Sequence, residues 1–232
     1  MNLQSQIVAV NDLRPEDVAQ MCRLMQTHYE GVTEHQFAAD LNAKQWAILL
    51  RDQGRLCGFS TQILFDHSSN GCAVKILFSG DTVIEKSHWG SLALPVAWGR
   101  LMLSLLAEHP GTNLYWLLTS KGYKTYRFLP VFFWEYYPCH NRETPPFENN
   151  LLQSVAVRRF GTRYDSVAGI LRAKPGDQRL RDGIADLDDQ RLRDPHMAFF
   201  RARNPGHAQG DELVCLARFQ PENLKPYIRR QL

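Results

Sequence analysis

The sequence lacks the features that mark membrane-spanning, secreted and disulfide-bonded proteins. No stretch approaches the roughly 18 uninterrupted apolar residues of a membrane span. Residues 1–9 have no cationic start followed by a long apolar run, so no secretion signal is predicted. The five cysteines are odd in number, widely spaced and without a Cys-x-x-Cys pair, which disfavours a disulfide framework or a zinc site. We therefore expect a cytoplasmic protein with reduced thiols.

A strong excess of one charge is also missing. The net charge is +3, from 27 basic and 24 acidic residues, and the sequence pI is near 8.6. Arginine clusters such as 191–203 are more typical of solvated helix faces than of a polyanion-binding stripe. No nucleic-acid partner is predicted. With 44% hydrophobic and 22% charged residues, the 232-residue chain suits one large globular domain.

Some residue types that often carry chemistry are present in unsuitable arrangements. Cys139 and His140 are adjacent, and adjacent residues seldom face each other as nucleophile and base. His28 and His35 would need two further ligands to hold a metal, and none is evident. The sequence therefore predicts neither a metal site nor a cysteine nucleophile.

The chain has instead a long succession of strand and helix patterns. Gly54 marks a hairpin loop, and Ser79-Gly80 interrupts a strand pattern in the way a β-bulge does. Thr33 begins a capping box, which indicates a helix start. Strands are predicted at 7–10, 46–51, 56–65, 72–78, 81–85, 113–119, 164–172 and 212–219. Helices are predicted after Arg14-Pro15 and Thr33, and over 92–109, 144–160 and 195–203.

The segment 81–94 is the most informative part of the chain. A short strand pattern breaks at 86–90 and opens directly into a helix pattern. A strand that ends at a helix start directs several free backbone N–H groups, and the positive end of the helix dipole, at one point. Such a point binds phosphate or pyrophosphate. An ordinary strand–helix connection with a glycine has the same pattern, so this segment alone leaves both interpretations open.

The order of elements around this segment resembles the GNAT acyltransferase superfamily, of which the chain is identified as a divergent member. In that family the fourth strand carries a bulge and runs into a loop whose amides bind the pyrophosphate of CoA. The fifth strand splays from the fourth, and pantetheine lies between them. Here 81–85 matches the fourth strand, 86–92 the loop, 93–109 the following helix and 113–119 the fifth strand.

The resemblance covers 6–137 and, more loosely, 164–172 and 212–219. It implies an α/β (α+β) fold with a GNAT-like mixed, mostly antiparallel central sheet flanked by helices. The whole chain would form a single domain, with insertions at 138–161 and 174–210. These insertions are expected to cover the acceptor side of the site.

The resemblance also implies an activity, the transfer of an acyl group from acetyl-CoA or a longer acyl-CoA to an amine of a small molecule or protein. The family's loop usually reads Arg/Gln-x-x-Gly-x-Gly/Ala, whereas this chain keeps only the central Gly90. The residues expected to bind the donor are Val83, Ile84, Lys86, Ser87, His88, Trp89, Gly90, Ser91, Leu92 and Ser120.

Acyl transfer to an amine needs a base, a stabilised oxyanion and often an acid for the leaving thiolate. By the resemblance, Asp81 or Glu85 is the base, and both are equally typical of solvated strand ends. A regular strand would place these two carboxylates on one face, and a bulge would change that. Tyr126 is preferred over Tyr123 as the acid, although both tyrosines also suit a packing role.

Three further alternatives remain open. The aromatic segment 126–137 is expected mainly in the core, then as a wall of an acyl pocket, and least as a membrane-contacting patch. The donor could be an acyl-carrier-protein thioester, as in N-acyl amino acid synthases, or the fold could serve as a non-catalytic binding module. A homodimer is not excluded.

Overall fold

The computed structural model describes residues 3–184 and 186–232. Its strands are β1 (Gln4–Ala9), β2 (Tyr29–Glu30), β3 (Trp46–Asp52), β4 (Arg55–Ser69), β5 (Cys72–Ile84), β6 (Asn113–Ser120), β7 (Tyr164–Asp165), β8 (Ile170–Leu171), β9 (Arg179–Leu180) and β10 (Glu212–Phe219). Its α-helices are α1 (Pro15–His28), α2 (Glu34–Asn42), α3 (Ala93–Glu108), α4 (Tyr123–Tyr126), α5 (Phe128–Phe132), α6 (Pro146–Phe160), α7 (Pro195–Arg203) and α8 (Pro226–Arg229).

A mixed sheet forms the centre of the described chain. Its strand order is β1-β3-β4-β5-β6-β10-β8-β7, and β2 pairs separately with β9. Every neighbouring pair in the large sheet is antiparallel except β5 and β6, which run parallel. The parallel pair is joined through α3, the crossover that such a pair requires. The predicted fold class, a mixed and mostly antiparallel sheet flanked by helices, is confirmed.

Alternation along the strands sorts the side chains into two faces. In β6, Trp116 and Leu118 lie in the core cluster that contains α3, whereas Tyr115 and Leu117 lie in the cluster that contains α6. The edge half of the sheet packs against α1 and α2 through a third cluster. The sheet thus has α3, α4, α5 and α7 on one face and α1, α2 and α6 on the other. The site described below lies where these layers meet β5.

Local sequence signals account for several element boundaries. The hydroxyl of Thr33 accepts a hydrogen bond from the N–H of Gln36 at 3.2 Å, so the predicted cap at the start of α2 is confirmed. Pro15 is the first residue of α1, where its missing N–H has no intrahelical partner to lose. Pro95 lies in the first turn of α3 for the same reason.

The single strand predicted over 164–172 is wrong. The segment 164–172 is not one strand but a tight hairpin of β7 and β8. Asp165 Oδ1 accepts hydrogen bonds from the N–H groups of Val167 and Ala168, which turns the chain, and Gly169 has a φ of +74°. The apolar residues at the ends of the segment gave a strand pattern, and the turn chemistry between them decides the structure.

None of the helices in the described residues is long and apolar enough to span a membrane.

Candidate active site

A β-bulge interrupts β5 at its midpoint. Ser60 on β4 lies opposite Thr82, and Gln62 lies opposite Ser79, so the single residue Thr61 faces two residues, Gly80 and Asp81. The extra residue turns Ser79 and Thr82, which are three apart, to the same face. The predicted bulge at Ser79-Gly80 is confirmed, displaced by one residue.

The two parallel strands separate immediately after the bulge. Their pairing ends at Ser79 and Leu118, although β5 continues to Ile84 and β6 continues to Ser120. The carbonyl of Ile84 accepts a 2.8 Å hydrogen bond from the indole N–H of Trp89, so it points away from β4. By the alternation of an antiparallel pair, Thr82 also directs its backbone groups into the gap. An open strand edge therefore lines one side of a wedge.

A cavity of about 1030 Å³ occupies this wedge and extends beyond it. Its walls come from β5, the loop before α3, the start of α4, and residues of α2, α6 and β10. A smaller cavity of about 40 Å³, the small extension, shares Gly80, Pro95 and Phe128 with the wall of the main cavity and lies against α3. The extension is mainly apolar and is bounded by Leu94, Trp98, Trp116, Leu118, Phe128 and Phe132. The volume of the main cavity is that of a site for an extended ligand.

The loop before α3 presents free backbone N–H groups to this cavity. In the described chain, the N–H groups of Gly90, Leu92 and Leu94 make no hydrogen bond, whereas that of Ala93 is held by the Ser91 hydroxyl. Gly90 has a φ of +89°, and a Cβ there would meet only open space. Free N–H groups at the start of a 16-residue helix form an anion site.

A cluster of charged groups surrounds the bulge inside the cavity. Burial raises the pKa of Asp81 above its ordinary value, and the charges of Asp40 and Glu212 act in the same direction, while Lys44 and Lys121 oppose them. The Lys121 ammonium lies 3.3 Å from the Glu212 carboxylate. The described residues provide no hydrogen bond to the Asp81 side chain. Asp81 is therefore a carboxylate poised to take a proton from a ligand.

Tyr29 adds a protonated hydroxyl to the same cluster. It lines the cavity, and burial raises the pKa of its phenol, with further contributions from the charges of Asp81 and Glu212. The Lys121 ammonium lies 5.8 Å from the centroid of its ring. Tyr29 is thus a neutral proton donor beside the Asp81 carboxylate.

The mouth of the cavity is basic. The Lys124 ammonium lies 2.9 Å from the ring centroid of Trp89 and donates a 2.6 Å hydrogen bond to the carbonyl of Ile184. Burial and the charges of Arg191 and Lys86 lower the pKa of Lys124 to about 8. Lys86, Lys124 and Arg191 repel one another at the mouth, so this part of the cavity favours an anionic ligand.

The bulge, the open strand edge and the amide-lined helix start follow one another along a single strand–loop–helix unit, beside a parallel strand that separates from it. This arrangement agrees with the GNAT-like fold expected from the sequence. No known family profile matches the sequence, and no curated protein sequence does either.

Solved structures to which the chain is similar are distant in sequence. The Escherichia coli GNAT family N-acetyltransferase YhbS in complex with CoA is 16% identical over 55% of this chain and 69% of that one, with a TM-score of 0.38. A probable N-acyltransferase of Enterococcus faecalis is 8% identical over 94% of this chain and 66% of that one, with a TM-score of 0.46. An acyl-CoA N-acyltransferase of Pseudomonas aeruginosa is 14% identical over 56% and 88% of the two chains, with a TM-score of 0.39.

Part of the site expected from the sequence lies together on the wall of the cavity. The expected residues that line it are Asp81, Val83, Ile84, Trp89, Gly90, Ser91 and Leu92. Lys86 and Ser87 are exposed just outside it. The remaining expected residues lie elsewhere, for three different reasons.

Glu85 is held in an ion pair outside the cavity. Both terminal nitrogens of Arg55 donate to its carboxylate, one at 2.6 Å, and these bonds lower the pKa of Glu85. His88 is buried, with its Nε2 3.1 Å from Asp52 Oδ2. Neither the Glu85 carboxylate nor the His88 ring therefore faces the cavity.

Ser120 and Tyr126 point into the core. The Ser120 hydroxyl donates to the carbonyl of Gly122 at 2.9 Å. The Tyr126 hydroxyl donates to the carbonyl of Pro138 at 3.1 Å, the side chain is fully buried, and burial raises its pKa. With this placement the proton of the expected acid, Tyr126, does not reach the cavity. Tyr123 does line the cavity.

Several cavity residues were missed by the sequence reasoning. They are Lys44, Lys121, Arg159 and Glu212. Lys121 and Glu212 could have been found from position, because each lies at the end of a predicted strand that pairs beside the site. Lys44 and Arg159 belong to no motif, and only the folded chain brings them to the bulge.

No cluster of metal-ligating side chains exists within residues 3–184 and 186–232.

Proposed function

We propose that the chain transfers an acyl group from an acyl-CoA thioester to an amine. The observation that carries the proposal is the placement of Asp81 in the β5 bulge, between the open strand edge and the amide-lined start of α3. One wall of the cavity suits a phosphate-bearing donor, and its centre holds a carboxylate with a raised pKa.

The donor would lie along the wedge. Its pyrophosphate is bound by the N–H groups of Gly90, Leu92 and Leu94 and by the positive end of the α3 dipole. Because Trp89 already holds the carbonyl of Ile84, pairing with the amides of pantetheine falls to Thr82. The basic group of Lys86, Lys124 and Arg191 adds long-range attraction for the phosphates.

The chemistry would take place at the bulge. Asp81 accepts a proton from the ammonium of the acceptor, directly or through water, and the free amine attacks the thioester carbonyl carbon. A C–N bond forms, the tetrahedral intermediate collapses, and the C–S bond breaks. The departing thiolate takes a proton from Tyr29, the resulting phenolate takes the second proton of the acceptor nitrogen, directly or through water, and Asp81 releases its proton to water. Positioning of the two substrates contributes much of the rate.

The small extension beneath α3 supports a short acyl chain. Its volume of about 40 Å³ has room for only a few water-sized groups, and two tryptophans, Trp98 and Trp116, are among the residues that line it. Phe128 and Phe132 of the aromatic segment form its side. We infer that acetyl and other short acyl groups are preferred over long ones.

A carrier-protein thioester is a second candidate donor. Carrier proteins are acidic, and the basic group of Lys86, Lys124 and Arg191 lies at the mouth where such a protein would dock. Both donors present the same phosphopantetheine arm to the wedge. The small extension favours a short chain in either case.

Calorimetric titration with acetyl-CoA, followed by measurement of free-thiol release with a broad panel of amines, tests the proposal. We expect binding, and thiol release that depends on an amine and disappears in Asp81→Asn. Binding without release on any amine would favour a non-catalytic binding module. Absence of binding to acetyl-CoA, longer acyl-CoAs and an acyl carrier protein would refute acyl transfer altogether.

A further inference from the structure

Arg159 is a cation without a counter-ion on the cavity wall. The described chain gives its guanidinium no hydrogen bond and no ion pair, although it is half-buried and burial lowers its pKa. The group lies 4.1 Å from the ring centroid of Phe78 and 5.3 Å from that of Phe65, contacts that fix its position. A neighbouring cation, Arg163, is already neutralised by Asp177 at 2.7 Å.

Lys44 is a second cation in this part of the cavity. Its ammonium donates to the backbone carbonyl of Asp40 at 2.8 Å and forms no close ion pair among the described residues. Burial lowers its pKa, the charges of Asp81 and Asp40 oppose this, and the charge of Arg159 adds a smaller lowering. Its side chain crosses Gly80 so closely that a Cβ there would lie 2.6 Å from the Lys44 Cε. The Lys44 ammonium is therefore fixed beside the bulge that carries Asp81.

These two cations lie on the other side of the sheet from the donor's phosphate site. A Cβ at Gly80 would meet both Lys44 and Thr61 on the face that carries α1 and α2, and Arg159 belongs to α6 on that same face. The amide-lined loop leads into α3 on the opposite face. Arg159 and Lys44 thus have no role in binding the donor's pyrophosphate, and a buried uncompensated cation is costly unless a ligand supplies the anion.

We propose that the acceptor is a small amine that also carries an anionic group, a carboxylate or a phosphate, and that Arg159 and Lys44 bind this anion while the amine faces Asp81. The inference rests on the proposed acyl transfer. A planar guanidinium held over an aromatic ring suits both kinds of anion, because it donates two parallel hydrogen bonds to either. The carboxylates of Asp81 and Glu212 attract the ammonium, so the cavity is complementary to a zwitterion.

Pairs of acceptor amines that differ in the presence of an anionic group test whether the site binds that group. Amino acids are compared with their carboxamides, and phosphoethanolamine with ethanolamine, at saturating acetyl-CoA. We expect the anionic member of the preferred pair to have a kcat/KM at least about tenfold higher, and the preferred pair identifies the anion as carboxylate or phosphate. Equal or faster turnover of the neutral members would overturn the inference and leave acyl transfer intact.

Substitutions of two arginines in α6 test whether Arg159 is the group that binds the anion of the acceptor. Arg159→Gln should raise KM for the anionic acceptor at least about tenfold with little change in kcat, leave the neutral amine unaffected, and be partly rescued by Arg159→Lys. Arg158→Gln, an exposed arginine one residue earlier, is the matched control and should behave as the unaltered protein. If Arg159→Gln weakened CoA binding in calorimetry, Arg159 would belong to the donor site and the inference would be wrong.

A binding measurement is independent of turnover. Inorganic phosphate and acetate, added to the protein with CoA bound, should raise the Tm of the unaltered protein and of Arg158→Gln more than that of Arg159→Gln. Equal shifts in all three would overturn the anion site. Failure of the proposed function itself would be recognised separately, by the absence of CoA binding.

Discussion

Arg55 holds the carboxylate of Glu85 through both of its terminal guanidinium nitrogens at the end of β5. The two acidic residues near the end of this strand therefore have opposite environments. The arginine lowers the pKa of Glu85, whereas burial in the cavity raises the pKa of Asp81. A base needs a pKa closer to neutrality and access to the substrate, and only Asp81 has both.

Asp81→Asn should lower kcat by about 10² to 10⁴-fold, because it removes the proton acceptor and keeps the size of the side chain. Glu85→Gln is the matched control, since it neutralises a carboxylate that follows β5 directly and faces Arg55. Steady-state thiol release by both variants checks the prediction. A larger loss in Glu85→Gln than in Asp81→Asn would show that the base is assigned to the wrong carboxylate.

The raised pKa of Asp81 also fixes the direction of two pH effects. The rate should rise with pH through this pKa, because only the ionised carboxylate accepts a proton. The free energy of unfolding should fall as pH rises through this pKa. A carboxyl whose pKa is raised by folding is accommodated best in its protonated form, and ionisation of Asp81 removes that contribution. Asp81→Asn should therefore unfold at a higher urea concentration than the unaltered protein at pH 7. A lower urea midpoint for Asp81→Asn than for the unaltered protein would contradict the conclusion that the Asp81 carboxylate is destabilised by burial.

The fold was predictable because its signals are local and repeated. The cap at Thr33, the bulge near Gly80 and the strand over 212–219 all follow from residue types at short spacing. The hairpin at 164–172 was missed because one side chain, Asp165, bends the chain within an apolar pattern.

The site was predictable only where backbone forms it. Gly90 was found because a glycine between a strand pattern and a helix pattern stands at the central glycine of the family's loop, and the structure gives it a φ of +89°. The direction of a side chain such as Tyr126 depends on packing of α4 against α7, which no motif records. Arg159 reaches Phe78 across 81 positions of sequence, so only the folded chain joins them.

Gly90→Asp should weaken acetyl-CoA binding at least about tenfold, because the added carboxylate would stand in the open space where the pyrophosphate binds. Gly90→Ala is the control, since both variants place a side chain at the φ of +89° and share its strain of about 1 kcal/mol. Calorimetry measures both affinities. Equal weakening in the two variants would indicate backbone strain and not an anion site.

Donor binding should depend on pH through Lys124. Burial and the charges of Arg191 and Lys86 lower its pKa to about 8, so the ammonium is present below that pH and is lost above it. The Kd for acetyl-CoA should therefore increase between about pH 7 and 9. Lys124→Arg keeps its charge over this range and should bind with a flatter pH profile. An unchanged profile in this variant would exclude Lys124 as the titrating group.

A buried chain of hydrogen bonds should stabilise the bulge. Gln62 is fully buried, donates to the Ser60 hydroxyl at 2.8 Å and accepts from the Ser79 hydroxyl at 2.6 Å. Gln62→Leu leaves both hydroxyls without this partner, so we expect the free energy of unfolding to fall by about 1–3 kcal/mol in urea titrations. Gln45→Ala, which removes one exposed bond to the N–H of Leu64, should cost less. Because Ser79 flanks the bulge, Gln62→Leu should also lower kcat; full activity would show that the position of Asp81 does not depend on this chain of bonds.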